Sequence, residues 1–463
     1  MQLHRGSRYW MALALVAVPA AARGQGFGLN ELSACGIGRA FAATATGCHD
    51  ASAIYWNPAA LTTLSGWSLA LGATAIPVNG QFEQDTTFRT YESDVPTSVV
   101  PHFYLSHHAP ASQLALGIGV YVPYGLTSRW TDSFPGRFEA RKASLQTIYT
   151  QPNVAWQITP RWSVGGGPII GHSSVELIQS VDLSEQTVPG TAFTFANLGI
   201  PRRSEFARAR LKGSAWGYGA HLGVEGKLSP SWTMGLRVLT PITFRYSDAD
   251  ATFQQVSTGL IVGGTVTPPF VAGTQIDALV QAQFQPDSAL GAQKVSTKIT
   301  HPGQIQLGFA YTGLPGWELE ADYAWIGYSA FKDLPIDFSN SRTPDRTLIE
   351  DYNNSSSIRL GVERRFANDL RLRAGFAGVA AAAPDETVTP LLPDQDRANY
   401  TLGASLPLLG RFVLDAAYLH VATPGRRGRI DERTSRDQTA DQLNTGVYSL
   451  SANIFSLSLK ASF

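Results

Sequence analysis

The residues predict an all-β fold: a fourteen-stranded antiparallel transmembrane β-barrel, preceded by a small N-terminal segment that is not strand. Three observations carry this. The chain opens with an export signal but holds no later apolar run of the roughly 20 residues a membrane helix needs. Its segments beyond residue 66 alternate apolar and polar residues with period two. The connections between those segments are alternately long and short.

Met1 to Gln25 reads as a signal peptide. Arg5 and Arg8 form its basic start, Met11 to Val18 a short apolar core, and cleavage is expected after Ala20-Ala21-Ala22 or Ala22-Arg23-Gly24. The run is too short to span a bilayer, so an exported chain must enter a membrane through strands. Composition agrees: only 16% of the 463 residues are charged, while there are 44 Gly, 16 Tyr, 22 Phe and 10 Trp. That balance is unusual for a cytoplasmic enzyme. A formal net charge of zero gives no reason to expect nucleic acid.

Residues 26–65 are rich in Gly and Ala and lack alternation, so they are expected to pack inside or against the β structure. They hold both cysteines of the exported chain, Cys35 and Cys48. An oxidising compartment makes a disulfide plausible, worth about 3 kcal/mol by chain entropy. Two buried free thiols are the alternative.

From 66 to 463 the alternation marks the barrel. In Trp317 to Trp325, Leu319, Ala321, Tyr323 and Trp325 share one face, and Glu318, Glu320 and Asp322 the other. Ile358 to Glu363, Leu370 to Phe376 and Trp216 to Leu228 repeat the pattern. Alternation alone does not say which face is outside; export and aromatic density favour an apolar outside and a polar lumen. The acidic row and the basic residues Arg359, Arg371 and Arg373 are then expected to pair around the lumen as structure.

Strands are expected near 66–76, 97–108, 113–124, 142–158, 161–178, 211–228, 231–247, 295–312, 317–331, 355–366, 369–380, 397–408, 410–421 and 453–463. The intervening lengths, roughly 20, 4, 17, 2, 32, 2, 47, 4, 23, 2, 16, 1 and 31 residues, alternate throughout, as periplasmic turns and extracellular loops do. Ser229-Pro230, Thr159-Pro160, Leu314-Pro315-Gly316 and Asn368 suit tight turns. An even count leaves both ends in the periplasm. The last strand, Phe455 to Phe463, ends in an aromatic, similar to the signal read by the barrel-assembly machinery.

On Gly26-Phe27-Gly28-Leu29-Asn30-Glu31, Gly36-Ile37-Gly38-Arg39-Ala40 and Asn57-Pro58-Ala59, the chain resembles the FadL/TodX family of outer-membrane transporters for long-chain fatty acids and other hydrophobic compounds. Val122-Pro123-Tyr124-Gly125-Leu126 with Trp130, Trp216 to Gly219, Tyr328 to Phe331 and Pro393 to Arg397 follow in family order, so the resemblance covers the mature chain. It implies a lumenal hatch formed by the 26–65 segment, with Phe27, Leu29, Asn30, Asn57, Pro58 and Ala59 as hatch residues. Asn57 suits an N-cap and Pro58 the first helical position.

The resemblance also implies a lateral opening where the third strand kinks, at Val122, Pro123, Tyr124 and Gly125. Proline cannot donate to the ladder and glycine weakens it, although Pro123 could simply end the strand near the rim. An outer hydrophobic groove in the two longest loops is implied, with Phe193, Phe195, Leu198, Ile200, Phe253 and Phe270 as candidates; much of the loops' apolar content must pack within them. The positions where fatty-acid transporters of the family place basic residues are Gln179 and Ile349 here, which favours a neutral substrate, although Arg346 or Arg359 could compensate.

The expectation is passive uptake of hydrophobic small molecules by a monomer among outer-membrane lipids, without cofactor or metal. A general or selective diffusion porin is the alternative, which residues 26–65 argue against. An enzyme is disfavoured: no nucleophile motif such as Gly-x-Ser-x-Gly occurs, His107-His108 lacks a partner at metal-ligand spacing, and Gly117/Gly119 and Gly217/Gly219 lie inside strands.

Overall fold

Fourteen strands close on themselves in the protein's computed structural model, which describes residues 26–463 except 189–190, 264–270 and 409. The expected signal peptide lies outside the described residues. The wall runs β1 (Gly66–Ile76, continued by Val78–Gln84), β2 (Ser98–His108), β3 (Leu114–Arg129), β4 (Lys142–Thr159), β5 (Trp162–Asp182), β6 (Glu205–Ser229) and β7 (Trp232–Leu239, continued by Ile242–Gln255). It continues as β8 (Gln293–His301, continued by Gln304–Tyr311), β9 (Trp317–Ile326), β10 (Ser355–Arg365), β11 (Arg371–Val379), β12 (Arg397–Pro407), β13 (Phe412–Ala422) and β14 (Gly446–Ser462). Neighbours pair antiparallel, and β1 closes the ring by pairing with both β2 and β14.

Burial settles which face is outside. Leu319 and Tyr323 are 40% and 49% exposed, whereas Glu320 and Asp322 on the opposite face are 4% and 3% exposed. The apolar face meets lipid and the polar face the lumen. Trp162, Trp232, Trp317 and Phe412 each begin a strand just after a short turn, and all are exposed. With Trp67 they form the aromatic belt of the periplasmic rim. The terminal Phe463 exchanges both backbone hydrogen bonds with Trp67 (3.0 Å each), so the chain end completes the seam.

Several strands differ in extent from the sequence expectation. The sixth begins at Glu205 rather than near 211, the last at Gly446 rather than near 453, and the third runs past Pro123 to Arg129. The additions to the sixth and last strands lie beyond the apolar band, and there the outward residues, such as Arg208, Arg210, Ser449 and Ser451, are polar. The ninth stops at Ile326 instead of near 331, because a one-turn 3₁₀ helix, Tyr328–Ala330, follows Gly327.

Residues 26–64 lie within the ring as short turns of helix: α1 (Ala34–Gly38), α2 (Ala53–Trp56) and 3₁₀ turns at Gly47–His49 and Pro58–Thr63. Ser33 caps α1 by accepting from Gly36 N (3.2 Å). Nearly all of these side chains are buried. Small residues are required because backbone meets wall: a Cβ on Gly235 would lie 1.9 Å from Thr44 O, and one on Gly223 2.2 Å from Asn57 Oδ1.

Candidate functional site

The wall has a gap beside β3. Its ladder with β2 ends at Phe103↔Val120, so Ser98–His102 of β2 pair only with β1 and, among the wall strands, the rest of β3 pairs only with β4. On the β4 side the register shifts between Tyr121 and Tyr124, leaving Val122 and Pro123 as a bulge. Pro101 lies in the unpaired part of β2, so each edge of the gap carries a residue without an N–H. Sequence reasoning singled out Pro123 and passed over Pro101.

The N-terminal segment occupies the free edge of β3. Gly28 bridges Tyr124, Leu29 N donates to Pro123 O (2.8 Å), and Gly125 N donates to Phe27 O (3.0 Å). Three residues thus serve as a short surrogate strand. They are held on the lumenal side: Gly28 N donates to Tyr328 Oη (2.8 Å) and Gly26 N to Asp394 Oδ1 (3.0 Å). Phe27 packs among Tyr124, His301, Tyr328 and Phe331, with centroids 5.4 to 5.9 Å away. The Tyr124 hydroxyl donates to Pro302 O (2.7 Å) on the far side of the lumen and accepts from Gln304 Nε2 (2.8 Å). Asn30 is buried, with its N–H donating to the Glu31 carboxylate (2.9 Å).

Two cavities adjoin this segment. A cavity of about 610 Å³ is lined by Glu31, Phe41, Arg397 and Ile454 within the lumen and by Val99, Pro101, Val122 and Ile148 at the gap. Val99 and Ile148 are outward, 65% and 47% exposed, so the cavity connects lumen to outer face. A second cavity of about 90 Å³ is almost wholly apolar, walled by Phe27, Leu177, Leu211, Val295, Ile299, Phe331 and Ile336. Both share Leu126, Leu145 and Leu392. Phe27 therefore lines the pocket while its neighbours close the gap.

The rest of the segment is anchored differently. Arg39 is buried and pairs with Glu318 and Glu320 of β9 and Glu363 of β10, the last at 2.8 Å. Burial opposes its charge, but its three acidic neighbours together outweigh that and hold the guanidinium above its ordinary range. Asp322 accepts from Ala43 N and Thr44 N (3.1 and 3.0 Å), and Glu320 from Ala45 N (2.6 Å). The acidic row thus binds Arg39 and hatch backbone more than wall arginines. Arg371 and Arg373 pair with Glu363, and Arg359 reaches Phe41 O (3.4 Å).

Asn57 caps the last turn by accepting from Ala59 N (3.1 Å), while its amide donates to Thr44 O and to Val224 O of β6 (2.8 and 2.9 Å). Pro58 starts that turn and abuts Gly165 of β5. Cys35 and Cys48 are disulfide-bonded, with Cα atoms 6.1 Å apart, and the loop they close contains Arg39. The bridge ties the anchored part and leaves residues 26–32 outside it.

The family profile described as outer membrane protein transport protein (OMPP1/FadL/TodX) matches residues 13–463. The chain belongs to this family. The OMPP1/FadL/TodX proteins are outer-membrane transport proteins rather than enzymes, and this chain is accordingly an outer-membrane protein. Among its relatives, Outer membrane protein P1 of Haemophilus influenzae is 24% identical over 98% of both chains. The long-chain fatty acid transport protein of Escherichia coli K12 is 23% identical over 85% of this chain and 87% of the relative. In fold, a Pseudomonas aeruginosa FadL homologue superposes with a TM-score of 0.78 at 20% identity, covering 95% of this chain and all of that one. The Pseudomonas putida toluene transporter TodX gives 0.68 at 16%, covering 95% and 99%.

In this FadL/TodX chain the loop residues expected at an outer groove are distributed unevenly. Phe195 and Ile200 are buried in a separate small core with Leu183, Phe206, Val262, Ile276 and Val280. Leu198 and Phe253 pack half-buried at its edge, and Phe193 is exposed. Phe270 lies outside the described residues. The loops hold enough apolar area to fold on themselves, leaving Phe193, Ile261 and Val271 as exposed apolar contacts.

Gln179 and Ile349, considered as carboxylate-binding positions, line neither cavity. Arg346 pairs with Glu432, and Arg359 is buried against the hatch. The cations that do reach the cavities are Lys142, held by Glu176, Arg397, 3.9 Å from Asp394, and Lys212.

Proposed function

We propose that this protein admits neutral hydrophobic small molecules by passive diffusion, using the small apolar cavity as a binding pocket and the β2–β3 gap as a lateral exit to the membrane. The supporting observation is that one short segment, Phe27–Leu29, both lines the pocket and fills the gap. The likeness to relatives named for fatty-acid and toluene transport bears on substrate class, and the lining chooses within it. Val175, Leu177, Leu211, Val295 and Ile299 offer no group to a carboxylate, and the one cation in the lining, Lys212, stands opposite Glu176 in the ladder. Transfer of about 200 Å² of apolar surface from water contributes roughly 5 kcal/mol, enough for capture without coupled energy.

In this reading a molecule reaches the pocket from the extracellular loops and displaces Phe27. The three-residue bridge to β3 then releases, and the larger cavity leads between Val99 and Ile148 into the bilayer. The Arg39 cluster and the disulfide keep the rest of the hatch in place, so no water-filled pore opens.

The test is uptake of radiolabelled toluene, decane and oleate by cells lacking other transporters of this family. Saturable uptake of a neutral compound above vector control is expected. Uptake of oleate alone would contradict a neutral substrate.

A further inference from the structure

On the outer wall, Arg245 of β7 and Lys298 of β8 stand directly opposite each other in the ladder. Both are exposed, and neither has a carboxylate within ion-pair distance among the described residues. The acids on the same strand, Asp248 and Asp250, are taken by Lys294 at 3.4 and 2.8 Å. Like charges directly opposed across a ladder are destabilising and call for a counter-charge. One step nearer the periplasm, Thr243 and Thr300 hydrogen-bond to each other (2.9 Å) on the same face and present two hydroxyls beside the cations.

The position identifies the counter-charge. Arg245 lies thirteen residues beyond Trp232 at the periplasmic rim, and Lys298 thirteen before Tyr311. At about 3.3 Å per residue and a tilt of about 40°, that is roughly 30 Å above the rim, beyond an apolar band of about 25 Å. Trp216 of β6, thirteen residues before Ser229, flanks this level with Tyr218; they are 61% and 72% exposed, and Trp216 packs on His172 at 4.8 Å. Between them and Arg245 the ladder is interrupted: β6 and β7 pair up to His221↔Leu239 and again from Lys212↔Asp250. Ile242 and Phe244 fold back over Gly217 and Gly219, filling this seam from the lumenal side.

We infer that Arg245 and Lys298, flanked by Thr243, Thr300, Trp216 and Tyr218, form an outward-facing site for the phosphate of a phosphorylated outer-leaflet lipid, whose acyl chains lie against the β6–β7 seam. Two cations near an anionic membrane surface are worth about thirtyfold in affinity. The apolar seam and aromatic pair would make the site selective for a lipid over a free anion.

Native mass spectrometry of the mature protein in detergent, titrated with bis-phosphorylated lipid A, its dephosphorylated form and inorganic phosphate, tests this. Arg245→Gln/Lys298→Gln is compared with wild type and with Arg364→Gln at the periplasmic end. Retained heat-modifiable migration on gels establishes that each barrel is folded. Expected is a roughly thirtyfold preference of wild type and Arg364→Gln for phosphorylated lipid A, lost in the double variant. A change below threefold in the double variant would overturn the site. Displacement of lipid A by an equal concentration of inorganic phosphate would reduce it to a simple anion site and also overturn the lipid assignment.

Discussion

Gly28 and Tyr124 form an isolated antiparallel bridge: a residue of the lumenal segment sits where β2 would otherwise pair with β3. The wall there is completed by a part that is not wall. The bridge itself comprises two backbone hydrogen bonds, and unlike the rest of the hatch it carries neither an ion pair nor the disulfide.

Re-pairing the gap should close it. Pro123→Val with Gly125→Val restores an N–H and adds strand-forming side chains, and a Cβ at 125 would press on Leu29 at 3.0 Å. Uptake of the neutral substrate should fall about tenfold while heat-modifiable migration is unchanged. Normal uptake in a folded barrel would argue against the bulge as the exit.

Arg39 should hold the hatch in place. Arg39→Met leaves Glu318, Glu320 and Glu363 facing one another without their shared cation. Removing one partner of such a buried cluster costs about 3 to 5 kcal/mol. The β ladders do not depend on it, so the barrel should fold with a loosened plug. Planar-bilayer recordings should show large ohmic steps in the variant and small, rare events in wild type.

The disulfide should matter to the anchored region and little to transport. Cys35→Ser/Cys48→Ser removes about 3 kcal/mol of loop-entropy stabilisation. Hydrogen exchange across Ala34–His49 should accelerate, whereas uptake should stay within twofold, because residues 26–32 lie outside the closed loop. A severe loss of uptake would place the moving part inside the bridge.

Much of the wall was legible in the residues themselves. Alternation, the long-short rhythm of the connections and short Pro- and Ser-containing turns located all fourteen strands, because lipid on one side imposes period two. Extensions such as Glu205–Leu211 and Gly446–Ala452 were read as loop, since above the membrane that pressure is absent. Pro123 marked the gap, but Pro101 sits in Val99-Val100-Pro101-His102-Phe103, where alternation masks it. Arg39 stood out only as one residue of the Gly36-Ile37-Gly38-Arg39-Ala40 motif, and its anchoring role was hidden because its acids are about 280 to 320 positions away. The loops' apolar content foretold packing, yet only the fold tells Phe195 in the core from Phe193 outside it.

Loop docking over the lumen should depend on pH through Glu350. It is buried, facing Arg429 across from Glu139 with Asp351 beside it, and burial raises its carboxyl to about 7; Glu139, which also faces Glu432, Arg346 and Asp431, is raised too. A raised carboxyl stabilises docking fully below about 4.5, its unfolded value, and that contribution is lost as pH rises through about 7. Hydrogen-exchange protection factors near residue 350, corrected for the intrinsic rise of base-catalysed exchange, should therefore fall between pH 5 and 8. Glu350→Gln should flatten the profile; an unchanged slope would assign it to another group.

The most direct test of lateral exit locks the bridge itself. In antiparallel pairs flanked by hydrogen bonds, as Gly28 and Tyr124 are, Cα atoms lie about 4.5 Å apart, within disulfide reach. Uptake of the neutral substrate is measured in Gly28→Cys/Tyr124→Cys, oxidised and then reduced, beside each single variant and wild type with the same reductant. If the hatch must leave β3 for substrate to pass, the oxidised double variant is inactive and reduction restores the rate of the single variants. Equal uptake in the oxidised and reduced forms, with the cross-link verified by mass spectrometry, would contradict lateral exit at this gap.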